Sequence, residues 1–132
     1  MPTIANQSLQ VRLDLPMDAA VEKVTAALKE EGFGVLTEIN VQATLKQKID
    51  VDFRPYRILG ACNPRLAHQA LSADLDVGLM LPCNVVVYED NGGTMVQIAD
   101  PEAMMGFVEA GKLDAVAAQA RERLERVIRN LG

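Results

Sequence analysis

The order of apolar and polar residues along the chain predicts five strands. Each segment either alternates at the two-residue period of a strand that buries one face, or forms a short apolar run typical of a central strand. The five segments are residues 9–15, 35–39, 56–62, 85–88 and 95–99. Asp90-Asn91-Gly92-Gly93 separates the last two segments and predicts a hairpin, because Asn and Gly tolerate a positive φ angle.

Apolar residues repeated every three or four positions predict helices between and after these strands. The helical segments are residues 17–30, 41–49, 64–71, 101–108 and 113–131. Asn40, Asn63 and Asp100 each precede a helical segment, where a side-chain oxygen can accept from the first free backbone N–H groups. A continued strand is the alternative for residues 41–49. Residues 78–81 precede Pro82, and we expect them to be a loop or a short extended piece.

This order of elements predicts an α+β fold, in which a mostly antiparallel sheet of about five strands carries helices on one face. The chain has 132 residues, of which 49% are hydrophobic, so we expect one domain over residues 1–132 with a real core. Only 4% of the residues are aromatic and none is Trp. The core must therefore be built from Val, Leu, Ile, Ala and Met.

The charge and the apolar runs exclude several classes of partner. Thirteen basic and eighteen acidic residues give a net charge of −5, which argues against nucleic acid, since such binding needs basic residues to neutralise phosphates. No apolar run approaches the roughly 20 residues of a membrane helix, so we expect no membrane partner. Residues 1–7 lack the pattern of a signal peptide. With two cysteines and no export signal, the expected compartment is the cytoplasm.

Three stretches carry a more specific pattern. They are Gly32-Phe33-Gly34-Val35-Leu36-Thr37-Glu38-Ile39, Tyr56-Arg57-Ile58-Leu59-Gly60-Ala61-Cys62-Asn63-Pro64 and Leu81-Pro82-Cys83-Asn84-Val85-Val86-Val87. Together with Asp100-Pro101 and Met104 they resemble the prokaryotic domain of unknown function 302 family, from about Leu9 to the end of the chain. The resemblance implies a TATA-binding-protein-like fold, β-α-β(4)-α with short extra helices, and homodimers. It supplies no catalytic residue.

The two cysteines lie in similar contexts, Ala61-Cys62-Asn63-Pro64 and Pro82-Cys83-Asn84-Val85. Cys62 precedes a predicted helix N-terminus, where the helix dipole favours a thiolate, so a reactive thiol, a sulfur carrier or a metal ligand would suit this position. If the strands of Cys62 and Cys83 are neighbours, the two sulfur atoms approach each other. The alternative is that both are small buried hydrophobic residues, which the lack of CxxC spacing favours.

His68 lies in the predicted helix after Cys62 and is a third candidate for the same site. A Cys-His-Cys set lacks the paired spacings of structural zinc sites, and a lone His is usually a surface or packing residue. We therefore assign no metal ligand, and the cofactor is unknown. The methionines Met80, Met95, Met104 and Met105 could line an adaptable apolar pocket, with ordinary core filling as the alternative.

No arrangement typical of a catalytic centre, a phosphate-binding loop or a nucleophile elbow is present in the sequence. We therefore expect a small cytoplasmic homodimeric domain that binds a small ligand or acts as an accessory module, and we assign no catalytic residue. The candidate site consists of Cys62, Asn63, Cys83, Asn84 and His68. The alternative function is a thiol-dependent protein, sulfur-handling or metal-binding, that is centred on Cys62 with Cys83.

Overall fold

The computed structural model describes residues 3–5, 8–104 and 111–132. The strands are β1 (Thr3–Ala5), β2 (Ser8–Leu13), β3 (Gly34–Asn40), β4 (Tyr56–Cys62), β5 (Cys83–Asp90) and β6 (Gly93–Ala99). The α-helices are α1 (Met17–Glu30), α2 (Val41–Ile49), α3 (Pro64–Ala73) and α4 (Asp114–Leu131), and a 3₁₀ helix spans Leu75–Met80.

The described strands form one antiparallel sheet of six strands in the order β1-β2-β6-β5-β4-β3. β5 and β6 occupy its centre and are joined by a two-residue hairpin loop. Asn91 and Gly92 in that loop have φ angles of 48° and 83°, which is the conformation that matches the twist of the two flanking strands. The hairpin predicted from the sequence at residues 90–93 is therefore confirmed.

One face of the sheet forms the core, because every second residue of its inner strands points toward α1 and α4. Leu9, Ile98, Val85 and Leu59 lie in one cross-strand row of this face, and all four are buried. The two helices cover the row with large side chains such as Leu28 of α1 and Leu124 of α4. At roughly 1.5–3 kcal/mol for each fully buried aliphatic side chain, this layer dominates the stability of the fold.

The opposite face of the sheet, which we call the outer sheet face, has no helix layer comparable to α1 and α4 among the described residues. Ile39, Ile58 and Val86 lie in one cross-strand row of this face. Next to them the rings of Tyr56 and Tyr88 stack with their centroids 5.3 Å apart and 11° between their planes. These residues are only half-buried or exposed, so the face remains partly apolar and open to solvent.

Side-chain caps fix where two of the helices begin. The Oδ1 atom of Asn40 accepts from the backbone N–H of Ala43 at 3.0 Å and begins α2. Asn63 Oδ1 accepts from the backbone N–H of Leu66 at 3.2 Å and begins α3, with Pro64 at the first helical position. Both caps are those expected from the sequence, and the continued-strand alternative for residues 41–49 is ruled out.

The predicted α+β fold with a mostly antiparallel sheet is confirmed, and the short strand β1 adds a sixth strand at one edge. Residues 75–80 form a 3₁₀ helix, whereas we expected residues 78–81 to be a loop or an extended piece. After Asp100 the chain makes one helical turn, in which the backbone N–H of Met104 donates to the Asp100 carbonyl at 3.1 Å. The rest of the predicted helix at residues 101–108, including Met105 and Val108, lies outside the described residues.

Candidate functional site

A cavity of about 340 Å³ lies at one end of the sheet, between α3, the 3₁₀ helix and the first half of α4. The ends of three strands form its floor, through Ala61 and Cys62 of β4, Cys83 and Asn84 of β5, and Ala99 of β6. The remaining wall is almost entirely apolar. Its residues are Phe33, Asn63, Leu66, Ala67, Ala70, Val77, Leu79, Met80, Leu81, Pro82, Pro101, Met104, Leu113, Val116, Ala117 and Ala120.

The register of two adjacent strands brings the two cysteine-containing segments together. Ala61 of β4 pairs with Cys83 of β5, and Gly60 pairs with Asn84. Cys62, Asn63, Cys83 and Asn84 all line the cavity at this end of the two strands. Both cysteines are free and half-buried. Four of the five candidate residues thus lie at one site.

His68 is the candidate residue that the structure does not bring to this site. α3 buries Leu66 and Ala70, and the same side of the helix lines the cavity. His68 follows Leu66 by two residues, which is more than half a helical turn, and its side chain is exposed. Within the described residues no group of three His, Cys, Asp or Glu side chains has the arrangement needed to hold a metal ion.

Asn63 is buried and fixes the position of the first turn of α3. While its Oδ1 atom caps α3, its Nδ2 atom donates to the backbone carbonyl of Glu31 at 3.5 Å. Gly32 makes this approach possible, because a Cβ atom at that position would lie 2.9 Å from the Asn63 Nδ2 atom, and its φ angle of 86° also favours glycine. Asn63 therefore ties the end of α1 to the start of α3 and shapes one side of the cavity.

The electrostatics of the cavity favour neutral groups. Of the described residues that line it, none is Asp, Glu, Lys, Arg or His. Burial, with a smaller contribution from the nearby Cys62, raises the pKa of the Cys83 thiol from 9.0 to about 11. Cys83 is therefore a neutral thiol at pH 7, and it contributes a weak hydrogen-bonding group instead of an anionic nucleophile.

Two ion pairs lie beside the cavity, on segments that adjoin its wall. Arg121 Nε donates to the buried carboxylate of Asp100 at 3.0 Å, next to the lining residues Ala99 and Pro101. Lys112 lies 3.8 Å from the carboxylate of Asp74, just before the 3₁₀ helix. These ion pairs hold the surrounding segments without placing a charge in the cavity itself.

The 3₁₀ helix is the part of the site that sequence reasoning missed. It contributes Val77, Leu79 and Met80 to the wall. The signal was present at its start, where the Asp74 carboxylate accepts from the backbone N–H of Asp76 at 2.9 Å, a local turn that Asp commonly forms. Of the methionines proposed for an apolar pocket, Met80 and Met104 line the cavity, Met95 lies on the outer sheet face, and Met105 lies outside the described residues.

Comparison with known proteins places the chain in a family. The family model described as "Domain of unknown function DUF302" matches residues 9–131. A solved structure, an uncharacterized conserved DUF302 protein from Bacillus stearothermophilus, superposes with a TM-score of 0.89 at 34% identity, over 97% of this chain and 100% of the other. No curated protein matches the chain. Across the described residues, no helix has the length and apolar character needed to cross a membrane.

The match of the family model over residues 9–131 shows that the chain belongs to the DUF302 family.

Proposed function

We propose that this protein is a cytoplasmic module that binds a small, mostly apolar ligand and has no catalytic site of its own. The observation that carries the proposal is the cavity of about 340 Å³ between the sheet, α3 and α4. Ligand sites are typically concave and apolar, with a few polar groups that fix orientation. This cavity has that character, since its polar side chains are the two cysteines, Asn63 and Asn84.

The same residues argue for binding in preference to catalysis. The Cys83 thiol is kept neutral, because burial raises its pKa to about 11. The Asn63 side chain is already committed to the Leu66 amide and the Glu31 carbonyl. His68, which would be the natural base for a cysteine nucleophile, is exposed on another side of α3.

The test is a titration with the neutral fluorescent probe N-phenyl-1-naphthylamine. We expect saturable binding with one site per chain, and loss of at least about tenfold in affinity when Ala117→Met fills the cavity. Ala117 is buried and lines the cavity, whereas the next residue, Ala118, is exposed, so Ala118→Met is the matched control and should bind as the wild type does. Ala67→Met on α3 provides a second filling variant if Ala117→Met unfolds. Absence of saturable binding, or equal binding by the filled and control variants, would contradict the proposal.

A second candidate function is a thiol-dependent one, and the observation that favours it is that Cys62 and Cys83 line the same cavity. It requires Cys62 to act as the attacking thiolate, since Cys83 holds its proton at neutral pH. The discriminating measurement is the alkylation rate of Cys62 by iodoacetamide in a Cys83→Ala variant. A rate at pH 7 well above that of free cysteine supports this function, and a rate equal to it excludes a specially activated thiol.

The proposed module is a homodimer that associates through the outer sheet face. Ile39 is 49% exposed on that face, and the exposed Phe53 ring lies 6.2 Å from the Tyr56 ring beside it. On that face Arg12, which lies opposite Met95, is already paired with Asp90 at 3.2 Å within one copy, so this charge would not repel its equivalent in a second copy. An apolar surface that meets itself about a two-fold axis is the commonest route to a dimer.

Sedimentation equilibrium tests the dimer. We expect a dimer for the wild type and a shift toward monomer for Ile39→Lys, which introduces a charge at an already exposed position. Leu75→Lys makes the same kind of change at an exposed leucine of the 3₁₀ helix, away from the outer sheet face, and should remain dimeric. A monomeric wild type, or equal dissociation of the two variants, would rule out this interface.

A further inference from the structure

We propose that the ligand of the cavity is an unbranched alkyl chain, bound with its hydrocarbon part inside and its polar end at the mouth. This inference rests on the proposed ligand-binding function and names the chemical class of the ligand. Three features of the cavity lead to it: the kind of side chain in the wall, the absence of charge, and the position of Leu79.

The wall is aliphatic. Phe33 is the only aromatic residue among the described residues that line it, and it is buried in the core cluster. Leu66, Val77, Met80 and Val116 form much of the remainder. Flat aromatic ligands gain from stacking on aromatic side chains, whereas flexible Leu and Met side chains adapt to a chain of CH2 groups.

The absence of charged lining residues sets the orientation of the chain. A carboxylate or other ionised group buried here would lose its hydration without gaining a partner of opposite charge. The neutral Cys83 thiol offers no compensating charge either. The charged or strongly polar end of an alkyl ligand must therefore stay at the mouth, in contact with water.

Four lining residues are exposed and mark the mouth: Leu79, Pro82, Asn84 and Met104. Leu79 is 83% exposed and Met104 is 39% exposed. Taking about 30 Å³ for each water-sized group, the cavity holds on the order of ten non-hydrogen atoms. A chain of about that length fills it, and a longer chain continues over Leu79, as the phenyl ring of N-phenyl-1-naphthylamine also must when its naphthyl group fills the cavity.

The experiment is calorimetric titration with hexanoate, octanoate, decanoate and dodecanoate. We expect the affinity to rise by about four-fold per added CH2 group until the cavity is full, and more slowly afterwards. 1-Decanol should bind about as well as decanoate, because the polar end lies outside. Methyl decanoate should bind at least as well as decanoate; a clear preference for the ester indicates an acyl group carried on a larger molecule, and equal binding indicates a free fatty acid. A preference of more than about tenfold for the acid would mean that a charged group binds the polar end, which contradicts the proposed orientation.

A matched pair of variants locates the chain. Leu79→Ser and Leu75→Ser change leucines that are 83% and 82% exposed on the same 3₁₀ helix, and only Leu79 lines the cavity. We expect Leu79→Ser to weaken dodecanoate more than octanoate and Leu75→Ser to change neither. Both substitutions remove little buried surface, so both variants should fold.

The outcomes separate this inference from the proposed function. Suppose that N-phenyl-1-naphthylamine binds and that Ala117→Met weakens its binding, so that the cavity is a binding site. The alkyl assignment is then wrong if decanoate does not displace the probe, or if 2-naphthol displaces it better than decanoate does. An affinity independent of chain length also overturns the assignment. If neither the probe nor any alkyl compound binds, the proposed function fails together with this inference.

Discussion

Replacing Asn63 by alanine perturbs the single side chain that joins two helices at the cavity. Asn63 Oδ1 caps α3 by accepting from the Leu66 amide at 3.2 Å, and Nδ2 donates to the carbonyl of Glu31 at 3.5 Å. Asn63→Ala removes both bonds and leaves a small void where a buried side chain had been. Asn40, which caps α2 through a 3.0 Å bond from Ala43, is the matched control, because it is exposed and makes no bond to another helix.

The expected loss in free energy of unfolding depends on which hydrogen-bond partners the Leu66 amide and the Glu31 carbonyl keep after the substitution. Loss of an N-cap costs about 0.5–2 kcal/mol, and burial places Asn63 toward the upper end of that range, since water cannot replace the lost acceptor. The Glu31 carbonyl keeps a second donor, Arg123 Nη1 at 3.3 Å, so the loss of the Asn63 amide adds only about 0.5 kcal/mol. We therefore expect Asn63→Ala to lower the free energy of unfolding by about 2 kcal/mol, and Asn40→Ala by about 0.5–1 kcal/mol.

Urea denaturation followed by far-ultraviolet circular dichroism measures the difference. For a slope of about 2 kcal/mol per molar urea, Asn63→Ala should shift the midpoint by about 1 M and leave the slope unchanged. Asn63→Ser retains a capping oxygen and loses only the amide, so it should fall between wild type and Asn63→Ala. The reasoning is refuted if Asn63→Ala costs no more than Asn40→Ala, or if Asn63→Ser is as destabilised as Asn63→Ala.

Three further predictions concern single positions. Because burial raises the pKa of Cys83 from 9.0 to about 11, the folded state holds this proton more tightly than the unfolded chain. This adds about 2–3 kcal/mol to the free energy of unfolding below pH 9, and the addition is lost as the pH rises to 11. Cys83→Ala should lack that part of the alkaline decline in the free energy of unfolding. Thr94 is 1% exposed and its Oγ1 donates to the Leu15 carbonyl at 2.7 Å, so Thr94→Val should lower the urea midpoint by an amount equivalent to about 1–2 kcal/mol; an unchanged midpoint would contradict that. A Cβ atom at Gly60 would collide with the Thr37 hydroxyl, so Gly60→Ala should lower the free energy of unfolding by at least about 2 kcal/mol. Adding Thr37→Ala should restore part of that loss. No restoration would mean that Thr37 is not the main obstacle.

The parts of the fold that could be predicted are those in which one local rule decides the structure. The alternation in residues 9–15 and the Asn-Gly turn after Asp90 each specify a backbone conformation without reference to the rest of the chain. β1 could not be predicted, because a strand of three residues carries too few positions to show a period, and pairing with β2 is what makes it a strand. The 3₁₀ helix at Leu75–Met80 differs from the loop or extended piece predicted before Pro82, because the Asp74 carboxylate accepts from the Asp76 amide and begins a helical turn.

The candidate site was predictable to the extent that it depends on strand register. The sequence predicts that Cys62 and Cys83 lie near each other if their strands are neighbours; β4 and β5 are neighbours, and both residues line the same cavity. The placement of His68 could have been decided from the sequence, since the apolar stripe of α3 runs through Leu66 and Ala70 and leaves His68 on the polar side. The cavity itself has no sequence signature, because it is the space that remains after several distant segments have packed.

The distribution of side-chain size along α4 explains why that space lies at one end of the molecule. The second half of α4 fills the core with Leu124, Val127 and Ile128, all buried against the sheet and α1. In the first half, Ala117 and Ala120 are also buried, but their side chains are too short to reach the strand ends, and they line the cavity instead. One continuous apolar stripe therefore has two parts: its large residues stabilise the fold, and its small residues leave the space of the cavity. Since these large residues lie away from the cavity, changes at its small wall residues, such as Ala117, should alter the proposed ligand binding at less cost to the core than changes at Phe33 or Leu66.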